Sequence, residues 1–148
     1  MGNDASEPVV KVEKLSQRYG KAVALADVDL EIPANKMIGL IGPDGVGKST
    51  LLAIIAGVRK MQGGKATVLG GNIDDAKFRT KVSSRIAYLP QGLGKNLYPT
   101  LSLFENADFF GRLFGQSREE REQRITELFT STDLISFRDR PPANSPAA

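Results

Sequence analysis

The chain has 148 residues, 41% hydrophobic and 25% charged, which suits one domain with a real core and is short for two. Twenty basic against seventeen acidic residues leave a net +3, a mild excess that reads as a solvated surface and gives no reason to expect DNA. Without cysteine there is no disulfide or thiolate metal site, and without histidine the commonest general base is missing.

The first residues, MGNDASEPVV, are polar and acidic and carry no signal-peptide pattern; Met1-Gly2 with Ser6 has only the bare spacing of a myristoylation site. Val9–Leu15 and Val28–Ile32 alternate apolar and polar residues and predict half-buried strands, with Gly20 turning the chain between them. Met37–Ile41 (MIGLI) is apolar on both faces and predicts a strand covered on both sides. A helix from Lys48 should end near Gly57, a residue type suited to the position just past a helix. Its LLAIIA run at Leu51–Ala56 is far short of the ~20 apolar residues that span a bilayer, so a cytosolic protein is expected.

Thr67–Leu69 predicts a short strand closed by Gly70-Gly71-Asn72, Asp75–Val82 a basic helix, and Ile86–Leu89 (IAYL) another buried strand stopped by Pro90. Ser102 with Glu105, and Ser117 with Glu120, are capping boxes that open two further helices. Glu119 and Glu120 suit the positive end of the second helix, whose apolar stripe is Ile125, Leu128 and Phe129 and whose charges predict a solvated face. Residues 1–8 and the Pro/Ala-rich 141–148 predict no structure.

Gly42-Pro-Asp-Gly-Val-Gly47-Lys48-Ser49 fits G-x-x-x-x-G-K-[ST] in full, after an apolar run and at a helix start. Glycines let the backbone wind tightly and aim successive N–H groups at phosphate oxygens. The orphan N–H groups and positive dipole of the following helix face the same anion. Lys48 is placed to reach the β- and γ-phosphates, and the Ser49 hydroxyl to coordinate Mg2+. Downstream, QGLGKN (Gln91–Asn96) lacks the spacing and ends in Asn96, so it reads as a turn.

A phosphate loop alone leaves kinases, GTPases and many ATPases open. Three further stretches narrow the choice: QRYGKAVALADVDLEIP before the loop, YLPQ at Tyr88–Gln91, and TLSLFENADFFGRLFG with its Thr-Leu start and Glu-Asn pair. Together they resemble an ATP-binding cassette (ABC) domain from Val9 to Arg140. The details GPDGVGKS, LPQGLGKNLY and FRDRP resemble the first cassette of ribosome-associated ABC ATPases fused to export-type membrane regions. The resemblance implies an α/β phosphate-loop fold: an antiparallel β subdomain, a core with an incomplete parallel sheet, and the start of a helical subdomain. It implies ATP and Mg2+ as ligands. Tyr19 would stack on adenine, and Gly42, Asp44, Gly45, Val46, Gly47, Lys48, Ser49 and Thr50 would cradle the triphosphate. Gln91 would approach Mg2+ and the attacking water. The plain alternatives are an ordinary loop aromatic at Tyr19 and a satisfied polar side chain at Gln91. Asn35-Lys36 stands where the family has a glycine turn, a small departure because Asn tolerates left-handed backbone.

The partners implied are a second cassette and a membrane domain that would hold the protein at the cytoplasmic face of the membrane. A ribosome would meet the basic stretch Lys77–Arg85. Complete cassettes also carry a Leu-Ser-Gly-Gly signature, an Asp-Glu pair and a switch histidine, and none of these occurs in the 148 residues. The expectation is therefore a chain that holds ATP with little to cleave it; a non-catalytic fragment or another phosphate-loop kinase are the alternatives. Family members continue after Arg-Pro with Ala-Gly-Lys-Leu-Ser-Gly-Gly-Met-Lys. Loss of the first G from the codons GCC GGC AAA CTC TCC GGC GGC ATG AAA yields Pro-Ala-Asn-Ser-Pro-Ala-Ala and a stop, as at Pro142–Ala148, so a frameshifted tail is expected. With its strand neighbours encoded elsewhere, the MIGLI edge should make the chain aggregate.

Overall fold

The computed structural model describes residues 7–91 and 96–142. The polar start at 1–6, most of the QGLGKN turn and the tail at 143–148 lie outside the described residues. Two units form, one up to Tyr88 and one from Leu89 onward.

In the first unit, β1 (Val10–Tyr19) lies between β2 (Ala22–Ile32) and β3 (Gly63–Val68), with β4 (Gly71–Asn72) beside β3. All three pairings are antiparallel. β1 and β2 outrun their alternating stretches because each completes the other's hydrogen bonds up to the turn at Gly20, which has φ 56°. Val10, Val12 and Leu15 of β1 and Ala66 and Val68 of β3 share one apolar cluster with Leu51 and Ile54 of α1 (Lys48–Ile55). Ile73, and Val82 at the end of α2 (Ala76–Val82), close the cluster. Asp75 caps α2 by accepting from the N–H groups of Lys77 and Phe78. Asn35 takes the left-handed backbone expected of it, at φ 55°.

Neither apolar segment predicted as a buried strand becomes one. Met37–Ile41 and Ile86–Leu89 carry no strand pairing, and Met37 and Ile41 stand 101% and 95% exposed. Apolarity on both faces is one requirement of a covered strand, but a strand also needs a hydrogen-bonding neighbour on each side. Among the described residues every strand pairing falls within β1 to β4. Each uncovered Met or Ile side chain forgoes about 1.5–3 kcal/mol that full burial would supply.

The second unit holds α3 (Leu103–Leu113), α4 (Arg118–Ser131) and a 3-10 turn at Ile135–Phe137. Both capping boxes form. The Ser102 hydroxyl accepts from the Glu105 N–H at 3.1 Å while the Glu105 carboxylate accepts from the Ser102 N–H at 2.7 Å. Ser117 and Glu120 repeat the exchange at 3.2 and 2.9 Å. The chain returns to the start of α3, where the Leu103 and Phe104 N–H groups donate to the carbonyls of Arg140 and Arg138. Asn106, 1% exposed, accepts from the Tyr98 N–H and donates to the carbonyls of Tyr98, Leu101 and Ser102, so it clamps the preceding loop onto α3.

On α4, Ile125 and Phe129 are buried as predicted, but Leu128 is exposed and Arg121 is buried in its place. The face predicted as fully solvated therefore carries a charged anchor. Arg121 donates to Asp108 at 2.6 Å and to the Gln116 carbonyl at 2.6 Å, and Arg112 donates to the other Asp108 oxygen at 2.7 Å. The Arg121 guanidinium, helped by Arg112, holds the Asp108 carboxyl below the ordinary carboxylate value.

Two predictions follow from this anatomy. Replacing Met37 by Glu together with Ile41 by Lys should raise the soluble fraction of the expressed chain without changing its far-ultraviolet circular dichroism. An unchanged soluble fraction would place the aggregation-prone surface elsewhere. A carboxylate whose folded-state pKa is depressed stabilises the fold above its ordinary pKa, and that contribution disappears as pH falls through the depressed value. Asp108→Asn should accordingly cost about 1 kcal/mol at pH 7. Urea melts across the acid range should show the difference shrinking below about pH 4.

Candidate phosphate-binding site

The loop between Ile41 and α1 is positioned by its last glycine. Gly47 has φ 94°, and a Cβ there would run into the Ala24 carbonyl oxygen and the Leu25 side chain of β2. Only glycine allows the helix start to sit this close to the sheet. Gly45 also has positive φ, at 80°, which turns the loop before the helix begins.

α2, α3 and α4 all begin with a side chain accepting hydrogen bonds from first-turn N–H groups; α1 begins at Gly47 with none, and its first turn carries no acidic residue. Its leading N–H groups are therefore free of side-chain acceptors, at the positive end of the helix dipole. Gly42, Asp44, Gly45 and Val46 are exposed on the loop before it, and Ser49 is exposed on the first turn.

Lys48 is partly buried and turns back over the loop. Its ammonium donates to the carbonyls of Gly42 at 2.7 Å and Pro43 at 2.5 Å, with Asp44 Oδ1 4.0 Å away. The loop thus wraps around a cation and presents N–H donors nearby, an arrangement that suits an anion with several oxygens.

Tyr19, at the end of β1, joins this group. Its hydroxyl shares a 3.2 Å hydrogen bond with the Thr50 hydroxyl on α1. The Arg59 guanidinium carbon lies 5.1 Å from the centre of the Tyr19 ring. Sequence reasoning missed Arg59 and its neighbour Gln62, whose amide accepts from the Arg18 N–H at 2.8 Å and donates to the Arg18 carbonyl at 3.2 Å. Neither belongs to a motif, and only the chain's return to the hairpin end puts them there. The structure thus brings together Tyr19, Thr50 and the phosphate loop. Gln91 belongs to the second unit, an exposed bend after Pro90. No group of three or more Asp, Glu, His or Cys side chains able to hold a metal occurs among the described residues.

The profile described as "ABC transporter" matches residues 25–148. The Fe(3+) ions import ATP-binding protein of Escherichia coli is 32% identical over 131 residues, covering 88% of this chain and 36% of that protein. The Nod factor export ATP-binding protein I of Cupriavidus pinatubonensis is 33% identical over 120 residues, covering 81% of this chain and 36% of that protein. A solved dimeric ATP-binding cassette in a post-hydrolysis state, bound to ADP and Pi, superposes with a TM-score of 0.73 at 25% identity, over 93% of this chain and 63% of that one. The chain spans about a third of the length of both curated relatives. A match over residues 25–148, with a relative 32% identical across 88% of the chain, makes the chain a member of the ABC transporter family of ATP-binding proteins.

Proposed function

We propose that these residues are the nucleotide-holding front of an ABC-type ATPase that, in the whole protein, couples ATP hydrolysis to transport across a membrane. The observation that carries the reading is the one α-helix start left uncapped among the described residues, that of α1, set behind a glycine loop that already encloses the Lys48 ammonium. N–H groups from Gly42, Asp44, Gly45, Val46 and Gly47 and from the first turn of α1 would receive the triphosphate, with Thr50 beside it. Lys48 would exchange its two carbonyl partners for phosphate oxygens. Tyr19 would offer its ring to adenine. Ser49 would hold Mg2+, which when bound supplies positive charge against the phosphate oxygens.

Cleavage is a different matter. Phosphoryl transfer depends on positioned groups that polarise water and stabilise charge. These 148 residues contain no histidine, no Asp-Glu pair and no Leu-Ser-Gly-Gly loop. The segment would retain ATP and leave it intact until a second cassette and the remaining catalytic groups are supplied. No helix among the described residues is long and apolar enough to cross a membrane. Attachment to a membrane would run through a membrane-domain partner. The named relatives are import and export proteins, which favours transport over ribosome association. The basic stretch also commits one charge internally, since Arg79 donates to the carbonyls of Ile73 and Asp74.

Equilibrium dialysis with labelled ATP and Mg2+ tests this. The chain should retain ATP with no release of phosphate. Lys48→Ala should weaken binding about ten- to a hundredfold, the range for losing a hydrogen bond to a charged group. Equal retention by parent and variant would remove the loop from the account.

A further inference from the structure

The Tyr19 ring is held from several sides, and all of its holders come from one stretch of chain. Thr50, in the first turn of α1, binds the hydroxyl at 3.2 Å. Just beyond the last turn of α1, Arg59 sets its guanidinium over the ring at 5.1 Å. That arginine is itself tied to the helix, because its N–H and that of Val58 both donate to the Ala53 carbonyl, at 3.1 and 3.0 Å. Three residues later, Gln62 grips the Arg18 backbone through both ends of its amide. The helix that begins at the phosphate loop therefore brackets the aromatic ring at the end of β1, and the segment leaving that helix fixes the ring's backbone.

Such bracketing is more than a free surface aromatic needs. A cation within about 6 Å of a tyrosine ring is attracted to its face. With the hydroxyl bonded as well, the ring loses its freedom to swing, yet the residue remains 42% exposed. A ring held in place with part of its surface still exposed is a preformed platform for a flat partner, which then has less ordering to impose on binding.

We propose that Arg59 is a positioning residue for the nucleobase: it holds the Tyr19 ring so that the exposed part receives the purine of the nucleotide on the Gly42–Thr50 loop. This rests on the reading of that loop as a triphosphate seat. Because Tyr19 and the loop are joined through Thr50, base and phosphates are gripped by one rigid element. Arg59 then favours a nucleoside triphosphate over a bare polyphosphate without touching the phosphates.

The test compares ATP with inorganic tripolyphosphate, which fills the loop but has no base. Binding of each is measured by calorimetry to the full chain, carried on a soluble fusion partner, and to its Arg59→Ala and Arg59→Lys variants. Arg59→Ala should weaken ATP about two- to fivefold, the range for losing an exposed cation–π contact. Tripolyphosphate should bind it as it binds the parent, and Arg59→Lys should recover most of the ATP affinity. Unchanged ATP binding in Arg59→Ala would overturn the proposal, and so would an equal loss for both ligands, which would mean a general weakening of the fold. A parent that binds neither ligand would instead remove the triphosphate seat, and the positioning role with it. A parent that binds both equally would leave the seat standing and overturn the base platform alone.

Discussion

At Gly47 the backbone comes so close to β2 that any side chain would meet the Ala24 carbonyl and the Leu25 side chain. That contact sets the starting point of α1 against the antiparallel sheet. From it the helix runs back over the sheet, burying Leu51 and Ile54 among Val10, Val12 and Leu15. The same position denies α1 the cap its sister helices have, because a residue with no side chain cannot accept from the first-turn N–H groups. Close packing and an uncapped helix start are therefore two consequences of one missing Cβ.

Lys48 shows how the loop before that helix start keeps its shape. Its ammonium bonds to two carbonyls of the loop itself, Gly42 and Pro43, which draws the first half of the loop toward the helix start. Phosphate oxygens carry full negative charge and would compete for the ammonium more strongly than neutral carbonyls do. A triphosphate bound there would exchange an internal hydrogen-bond set for a charge-assisted one and need no new cation brought from elsewhere. The helices of the second unit follow the opposite rule. α3 and α4 answer their first N–H groups with serine hydroxyls, and the chain end adds two carbonyls at α3. Those starts are closed to ligands.

What the sequence made legible divides along the range of the interactions. The capping boxes, the Gly20 turn and the helix start at Lys48 depend on residues within a few positions of one another, and each forms as read. Met37–Ile41 and Ile86–Leu89 were legible as apolar but not as unpaired, since a strand is defined by its neighbours and pattern alone carries no information about them. Arg121 was read as solvent-facing because charge is usually exposed; its burial depends on Asp108, thirteen residues away on another helix. Asn106 was visible only as half of a recurring Glu-Asn pair, and the structure gives that pair a mechanical reason: Glu105 closes the cap and Asn106 clamps the loop before it. Arg59 and Gln62 left no trace, because their role arises only when the chain after α1 returns to the hairpin end.

The two ends of the phosphate loop are thus supported unequally. Its exit is fixed by Gly47 against β2 and by α1 against the sheet. Its approach is Met37–Ile41, which runs without a strand partner and with its largest side chains uncovered. Fixing one residue's backbone costs about 1–2 kcal/mol, so a loop whose approach is unpaired must recover some of that cost from whatever it binds. The Lys48 bonds to Gly42 and Pro43 reduce the deficit, because they tie the approach side to the supported side before any ligand arrives. Those bonds are also what a triphosphate would displace, so phosphate oxygens must take over the task of joining the two halves. A strand laid along Met37–Ile41 would remove that double demand, fixing the approach independently and leaving Lys48 free to serve the phosphates alone.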